Sequence, residues 1–178
     1  MSTYNPPLKD TGFVLDQLVG FDSLCESLEL EEANLELANV VVEEAGKLAS
    51  DVLAPLNSVG DQNGATVSEG AVQETAGFAD AYQQYVENGW ATLTGPEEFG
   101  GQALPNVLGT AVNELWHSAN MGFALCPMLS QGAVEALIAH GSDDLKQQYL
   151  PQLISGEWTG TMNLTEPNAG SDLAAVAA

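Results

Sequence analysis

Residues Thr161–Asp172 read TMNLTEPNAGSD, and their types suit one kind of chemistry, the holding of a ligand by neutral hydrogen bonds. Thr165 and Ser171 each carry a hydroxyl that both donates and accepts. Pro167 forces the chain to turn, and Gly170 lets the backbone approach another group closely. A turn of this composition presents N–H and O–H groups to an anion or a heteroaromatic edge without using a cation. On spacing alone a plainer account stands beside it: a tight turn leaving a strand, in which Thr and Ser satisfy their own backbone.

The other candidates for chemistry are weaker. His117 and His140 lack HExxH or partner spacing and read as surface or capping histidines rather than metal ligands. The DQNG run at Asp61–Gly64 places its glycine too early for a calcium loop and has no closing glutamate at the right distance, so it reads as a turn. Gly100-Gly101 lacks the GK[ST] of a phosphate loop, and no Ser–His–Asp or Cys–His set follows from spacing. Cys25 and Cys126 lie far apart, which argues against a disulfide and for a reduced, cytoplasmic setting.

Composition narrows the ligands. The chain has 178 residues, 45% of them hydrophobic, enough to bury a core. Its net charge of -22 comes from depletion of bases: Asp plus Glu number 25, whereas Lys plus Arg number 3, namely Lys9, Lys47 and Lys146. Nucleic acid and membrane surfaces need clustered bases, so neither is an expected partner. An anionic ligand would have to be held by backbone N–H groups, hydroxyls and helix ends, or by residues supplied from elsewhere. The opening MSTYNPPLKD lacks the basic and apolar regions of a signal peptide, and no apolar run reaches the ~18 residues of a membrane helix.

The elements that must position the turn read as helices. Residues 1–12 form an irregular arm, and Phe13–Leu28 a short helix broken near Gly20. Leu30, Ala33, Leu37, Val41, Ala45, Leu48 and Val52 recur at steps of three or four, the stripe of a long helix that Pro55 ends. Leu56–Val67 reads as a loop. Ser68 caps a second long helix carrying Val72, Thr75, Ala79, Tyr82 and Val86, which Gly89 stops. After the Gly/Pro-punctuated Gly89–Pro105, a third helix carries Val107, Ala111, Leu115 and Ala119. A fourth spans Met128–His140 with Ala133 and Leu137 inward and Gly141 as its stop, and Ser142 caps a fifth over DDLKQQYL. Trp158–Thr165 has the small and β-branched residues of a strand. The fold class is mainly α, with a strand at its C-terminal end.

Met162–Leu173, MNLTEPNAGSDL, closely resembles the flavin-binding signature of acyl-CoA dehydrogenases. Three further stretches agree with that family in order and spacing: Gly89–Pro105, Leu145–Pro167, and Tyr4–Leu24, the last similar to the N-terminal extension of a bacterial branch. The resemblance implies an N-terminal extension at 1–28, an N-terminal helical domain at 29–157, and the start of a middle β domain at 158–178. It implies FAD as cofactor and α,β-dehydrogenation of an acyl-CoA thioester, with electron-transfer flavoprotein or a similar acceptor and homo-oligomeric assembly in the full-length form. By that resemblance, backbone groups of Met162 and Leu164 and the hydroxyl of Thr165 face the flavin, and Gly170 and Ser171 lie near its pyrophosphate, Ser171 also close to CoA. The family's catalytic glutamate is expected beyond residue 178; no glutamate here, Glu166 included, matches it. The chain is therefore expected to be an N-terminal piece, inactive alone, with a non-catalytic helical interaction module as the alternative. Residues around Met121–Leu129, including Phe123 and Met128, are either acyl-pocket wall or core.

Overall fold

A computed structural model describes residues 4–177. Helix α1 (Leu8–Phe13) runs into a π-helical turn at Val14–Val19 and stops at Gly20, whose φ of 65° is open to glycine. Helix α2 (Phe21–Ser27) follows. The break at Gly20 is as expected, but the irregular arm is shorter, since helix begins at Leu8. Leu15, Phe21 and Cys25 belong to the same core as the helices that come later, so the N-terminal residues are part of the packed body.

Helix α3 spans Leu35–Lys47; Asn34 caps it, its Oδ1 accepting from Leu37 N–H at 2.9 Å. The expected start at Leu30 fails because the chain breaks after α2, with Glu29 at φ 57°. The deepest line on this helix is Ala38, Val42 and Ala45, continued by Ala49 in the turn that follows, while Leu37 and Val41 sit half-buried on its flank. Small residues on that line allow close approach of a neighbouring backbone.

Pro55 does not end the helix. The chain passes through a π-helical turn at Leu48–Leu53 into α4 (Ala54–Asn63), and Pro55 stands in the first turn of α4, where its missing N–H breaks no bond. Most of the expected loop at 56–67 is thus helical. Next comes an antiparallel hairpin, β1 (Thr66–Ser68) and β2 (Ala71–Gln73), with Val67 opposite Val72. Ser68 is therefore a strand residue and caps no helix. Glu69 and Gly70 both take positive φ, 52° and 79°, the geometry of a tight hairpin turn, and this local chemistry overrides the helical spacing of Val72 and Thr75. Helix α5 (Phe78–Glu87) begins only after Gly77, and Gly89 follows its end as expected.

Two 3₁₀ turns, Trp90–Thr92 and Glu97–Phe99, fold the next connection on itself. At Gly101 a Cβ would stand 1.9 Å from the Gly95 carbonyl oxygen, so the close approach there excludes any side chain. Helix α6 (Asn106–Ala119) follows Pro105 as expected and buries Leu108, Val112, Leu115 and Trp116. Helix α7 (Met121–His140) starts seven residues before the expected Met128 and carries Pro127 within it. Asn120 explains the early start: its Oδ1 accepts from Phe123 N–H at 3.0 Å while its Nδ2 donates to the Leu53 carbonyl at 3.1 Å. That side chain ties the π turn after α3 to the start of α7. With its full length, α7 is long and apolar enough by composition to cross a bilayer, which the shorter expected helix was not. It packs on α4, α6 and α8, and its outward side exposes Met121, Leu125 and Met128. Helix α8 (Asp143–Ser155) is capped by Ser142 as expected and continues through Pro151 to Gly156.

The main core lies between α3, α5, α6 and α7, around Leu108, Leu115 and Trp116, with edge-on rings of Tyr85 and Trp90 against Trp116. A smaller cluster of Phe99, Val134, Leu150 and Ile154 seats α8.

Candidate functional site

The TMNLTEPNAGSD segment is positioned by the way the chain leaves α8. Gly156 takes φ 80°, and its carbonyl accepts from the Tyr82 hydroxyl on α5 at 3.0 Å. Trp158 N–H donates to the Gln152 carbonyl at 3.0 Å, and the Trp158 ring lies 6.2 Å from that of Tyr149. The chain then crosses α7 at Gly160, whose N–H donates to Ser130 Oγ at 3.0 Å. Ser130 Oγ in turn donates to the Cys126 carbonyl at 3.2 Å. A Cβ at Gly160 would stand 2.7 Å from Ala133 Cβ and 3.2 Å from Ser130 Cα, so only glycine permits this crossing.

Beyond the crossing the expected strand does not form. Among the described residues Trp158–Thr165 adopts no regular element, because a strand exists only against a partner and none lies alongside. The turn after it is held by a reciprocal backbone pair: Glu166 N–H donates to the Ala169 carbonyl at 3.0 Å, and Ala169 N–H to the Glu166 carbonyl at 3.1 Å. Pro167 and Asn168 form its tip, and Ala169 is buried. Glu166 also accepts from Ala177 N–H at 3.0 Å, and Asp172 Oδ1 from Ala174 N–H at 3.2 Å.

Met162, Leu164 and Thr165 stand on the exposed run before this turn, and Gly170 and Ser171 directly after it, all accessible. Among the described residues, neither the Thr165 nor the Ser171 hydroxyl bonds to its own backbone, so the plainer account of the turn lacks its central feature. A Cβ at Gly170 would meet nothing within 4 Å, so the space beside Ser171 is open. Sequence reasoning missed the anchors, Tyr82, Ser130 and Gly160. Only Gly160 left a trace, as a glycine inside a β-rich run.

The remaining candidates resolve simply. His117 Nδ1 lies 2.8 Å from the Asn113 carbonyl, and His140 is exposed at the end of α7. No group of three or more His, Cys, Asp or Glu suited to a metal occurs among the described residues. Both cysteines are free, Cys25 buried and Cys126 exposed. Phe123 is core, 4% exposed and flanked by the rings of Phe78, Tyr82 and Tyr85, whereas Met128 lies at the surface.

Comparison with known proteins places this architecture. The crystal structure of an acyl-CoA dehydrogenase complexed with FAD from Bacillus anthracis superposes with a TM-score of 0.62 at 24% identity, covering 81% of this chain and 23% of that one, so the two share a helical-domain fold. The family described as acyl-CoA dehydrogenase, N-terminal domain, matches residues 38–157. The 3-methylmercaptopropionyl-CoA dehydrogenase of Ruegeria pomeroyi is 43% identical over 174 residues, 98% of this chain and 30% of that protein. A butyryl-CoA dehydrogenase of Syntrophomonas wolfei is 34% identical over 134 residues, 74% of this chain and 22% of its own length. The chain belongs to the acyl-CoA dehydrogenase family, and it spans less than a third of the length of these relatives.

Proposed function

We propose that this chain supplies the N-terminal helical domain and part of the flavin seat of an FAD-dependent acyl-CoA dehydrogenase. Bound FAD would supply the acceptor for the hydride lost from the β-carbon of an acyl-CoA thioester. The residues present fit that group: Thr161–Thr165 is accessible and, among the described residues, unpaired, so backbone groups of Met162 and Leu164 and the Thr165 hydroxyl can hydrogen-bond a heteroaromatic edge. Gly170 and Ser171, exposed to open space, suit a pyrophosphate and the neighbouring CoA, again through neutral donors. The single observation that carries this reading is that open run, pinned by Gly160 to the helical body of a family member.

The helical body orients the run and excludes water from beneath it, while the outward apolar side chains Leu125 and Met128 of α7 offer a wall for an acyl chain. Phe123, sunk in the core, is excluded from that role. The general base comes from polypeptide outside residues 1–178, and the chain by itself is inactive, because proton abstraction requires a base within ~3 Å of the proton removed. Electron-transfer flavoprotein or a similar acceptor, and homo-oligomeric assembly, belong to the whole enzyme.

The test is a form of the protein spanning the relatives' full length. It should purify yellow with FAD and reduce that flavin on addition of an acyl-CoA. Thr165→Ala, which removes one hydroxyl donor, should weaken FAD by about five- to tenfold. A colourless preparation that takes up no FAD, or a Thr165→Ala variant with unchanged affinity, would refute the reading.

A further inference from the structure

A second site lies away from the TMNLTEPNAGSD turn. A cavity of about 230 Å³ opens between α5, α7, α8 and the connection at Thr94–Pro96. Its wall on α7 is Pro127, Ser130, Val134 and Ile138, a different face from Leu125 and Met128. Pro127, Val134 and Ile154 give it an apolar side, and Tyr85, Thr94 and Gln131 a polar one.

Tyr85 is the decisive member. Its side chain is 2% exposed and lines the cavity, and its hydroxyl, which unlike the ring is not sealed from solvent, has no hydrogen-bond partner among the described residues. The neighbouring Tyr82 hydroxyl, by contrast, is engaged by the Gly156 carbonyl at 3.0 Å. A hydroxyl unbonded within the protein at a cavity wall is available to donate to an acceptor placed there. Burial also holds the Tyr85 phenol well above its ordinary pKa, so it stays a neutral donor. Gln131, which also lines the cavity, uses its Oε1 to accept from Asn113 at 3.1 Å, so its amide N–H groups are its remaining donors. No lysine lines the cavity, and Glu135 does, so an anion is disfavoured there.

We infer that this cavity is a binding site for a small uncharged molecule with an apolar body and one acceptor oxygen, held by the Tyr85 hydroxyl. Its volume lies below the ~300 Å³ at which drug-sized pockets begin, so the ligand is compact. This goes beyond the dehydrogenase reading and does not depend on it: Tyr82, Ser130 and Gly156, which anchor the segment, also line the cavity, but no residue of the flavin-binding stretch itself does.

Cyclohexanone, an apolar ring with a single carbonyl, is a suitable probe, followed on the chain by ligand-observed saturation-transfer NMR with titration. The expected result is saturable binding that Tyr85→Phe weakens about five- to tenfold, the worth of one hydrogen bond. Cyclohexanecarboxylate should not bind, and Val134→Phe, which fills the cavity, should abolish the cyclohexanone signal. Should Val134→Phe fail to fold, Ile138→Trp obstructs the cavity from a partly exposed position and should have the same effect. Tyr85→Phe removes a hydroxyl that holds nothing among the described residues, so its far-UV circular dichroism should match the parent. A cavity holding water only would show no saturable signal, and that outcome overturns the inference. So does equal binding by Tyr85→Phe, or binding that survives obstruction.

Discussion

Gly160→Ala tests whether the candidate site is held by a single crossing point. The added methyl would arrive 2.7 Å from Ala133 Cβ, 3.2 Å from Ser130 Cα and 3.3 Å from the Leu129 carbonyl oxygen, and the last two are backbone atoms that cannot rotate away. Forcing it into place costs about 1–3 kcal/mol as overpacking. Lifting the segment off α7 instead forfeits the Gly160–Ser130 hydrogen bond, about 1 kcal/mol, and some of the Trp158–Tyr149 contact. The second route is the cheaper, so the segment should detach while the helical body stays folded. The assay is hydrogen exchange at Trp158–Thr161 beside thermal unfolding followed by circular dichroism. Exchange there should quicken by about fivefold or more, with a midpoint lowered by no more than about 4 °C. Ser130→Ala, which removes the acceptor alone, should reproduce the exchange change with a smaller effect. Unchanged protection at Trp158–Thr161, or loss of the whole fold, would refute the reasoning.

Asn120→Ala removes the cap of α7 and the donor to the Leu53 carbonyl together, and should cost about 2–4 kcal/mol, read as a lowered denaturation midpoint in urea. Glu69→Gly relieves a positive φ of 52° and should tighten the hairpin by about 0.5 kcal/mol, seen as roughly twofold slower amide exchange across Val67–Val72. Burial holds the Cys25 thiol above its ordinary pKa, so the native state keeps a proton that the unfolded chain releases. The stability this contributes is complete below the ordinary thiol range and is lost as pH rises through it, and Cys25→Ala should flatten the slope of urea midpoints measured between about pH 8 and pH 10.

What the sequence disclosed depended on whether local and tertiary signals agreed. Helix α6 was legible because Pro105 at its start and the steps Ala111, Leu115, Ala119 point the same way. Ser142 and Gly141 marked the α7–α8 boundary for the same reason. Pro55 misled because a proline reads as a stop unless the preceding turn has already freed the position it occupies, and a π turn leaves no mark in residue types. The hairpin at Thr66–Gln73 was hidden under apolar steps of three and four that its Glu-Gly turn overrides. At the candidate site the residues themselves were readable, since Pro167 and Gly170 announce a turn. Its anchoring was not: Tyr82 and Ser130 act through contacts 74 and 30 residues distant along the chain, which no short-range pattern reports. Asn120 was overlooked because a single Asn looks like any loop residue until its second partner, Leu53, is known.

The scarcity of bases has a practical corollary for proteolysis. Lys9 lies in α1, Lys47 at the end of α3 with its ammonium 2.6 Å from Glu44, and Lys146 in the first turns of α8. Every peptide bond that trypsin can hydrolyse is thus wound into helix, where the extended conformation a protease requires is out of reach without local melting. Nicking after Lys47 or Lys146 would report the opening of α3 or α8 individually, and the long tryptic peptide between them would carry the hairpin, Asn120 and Tyr85 in one piece.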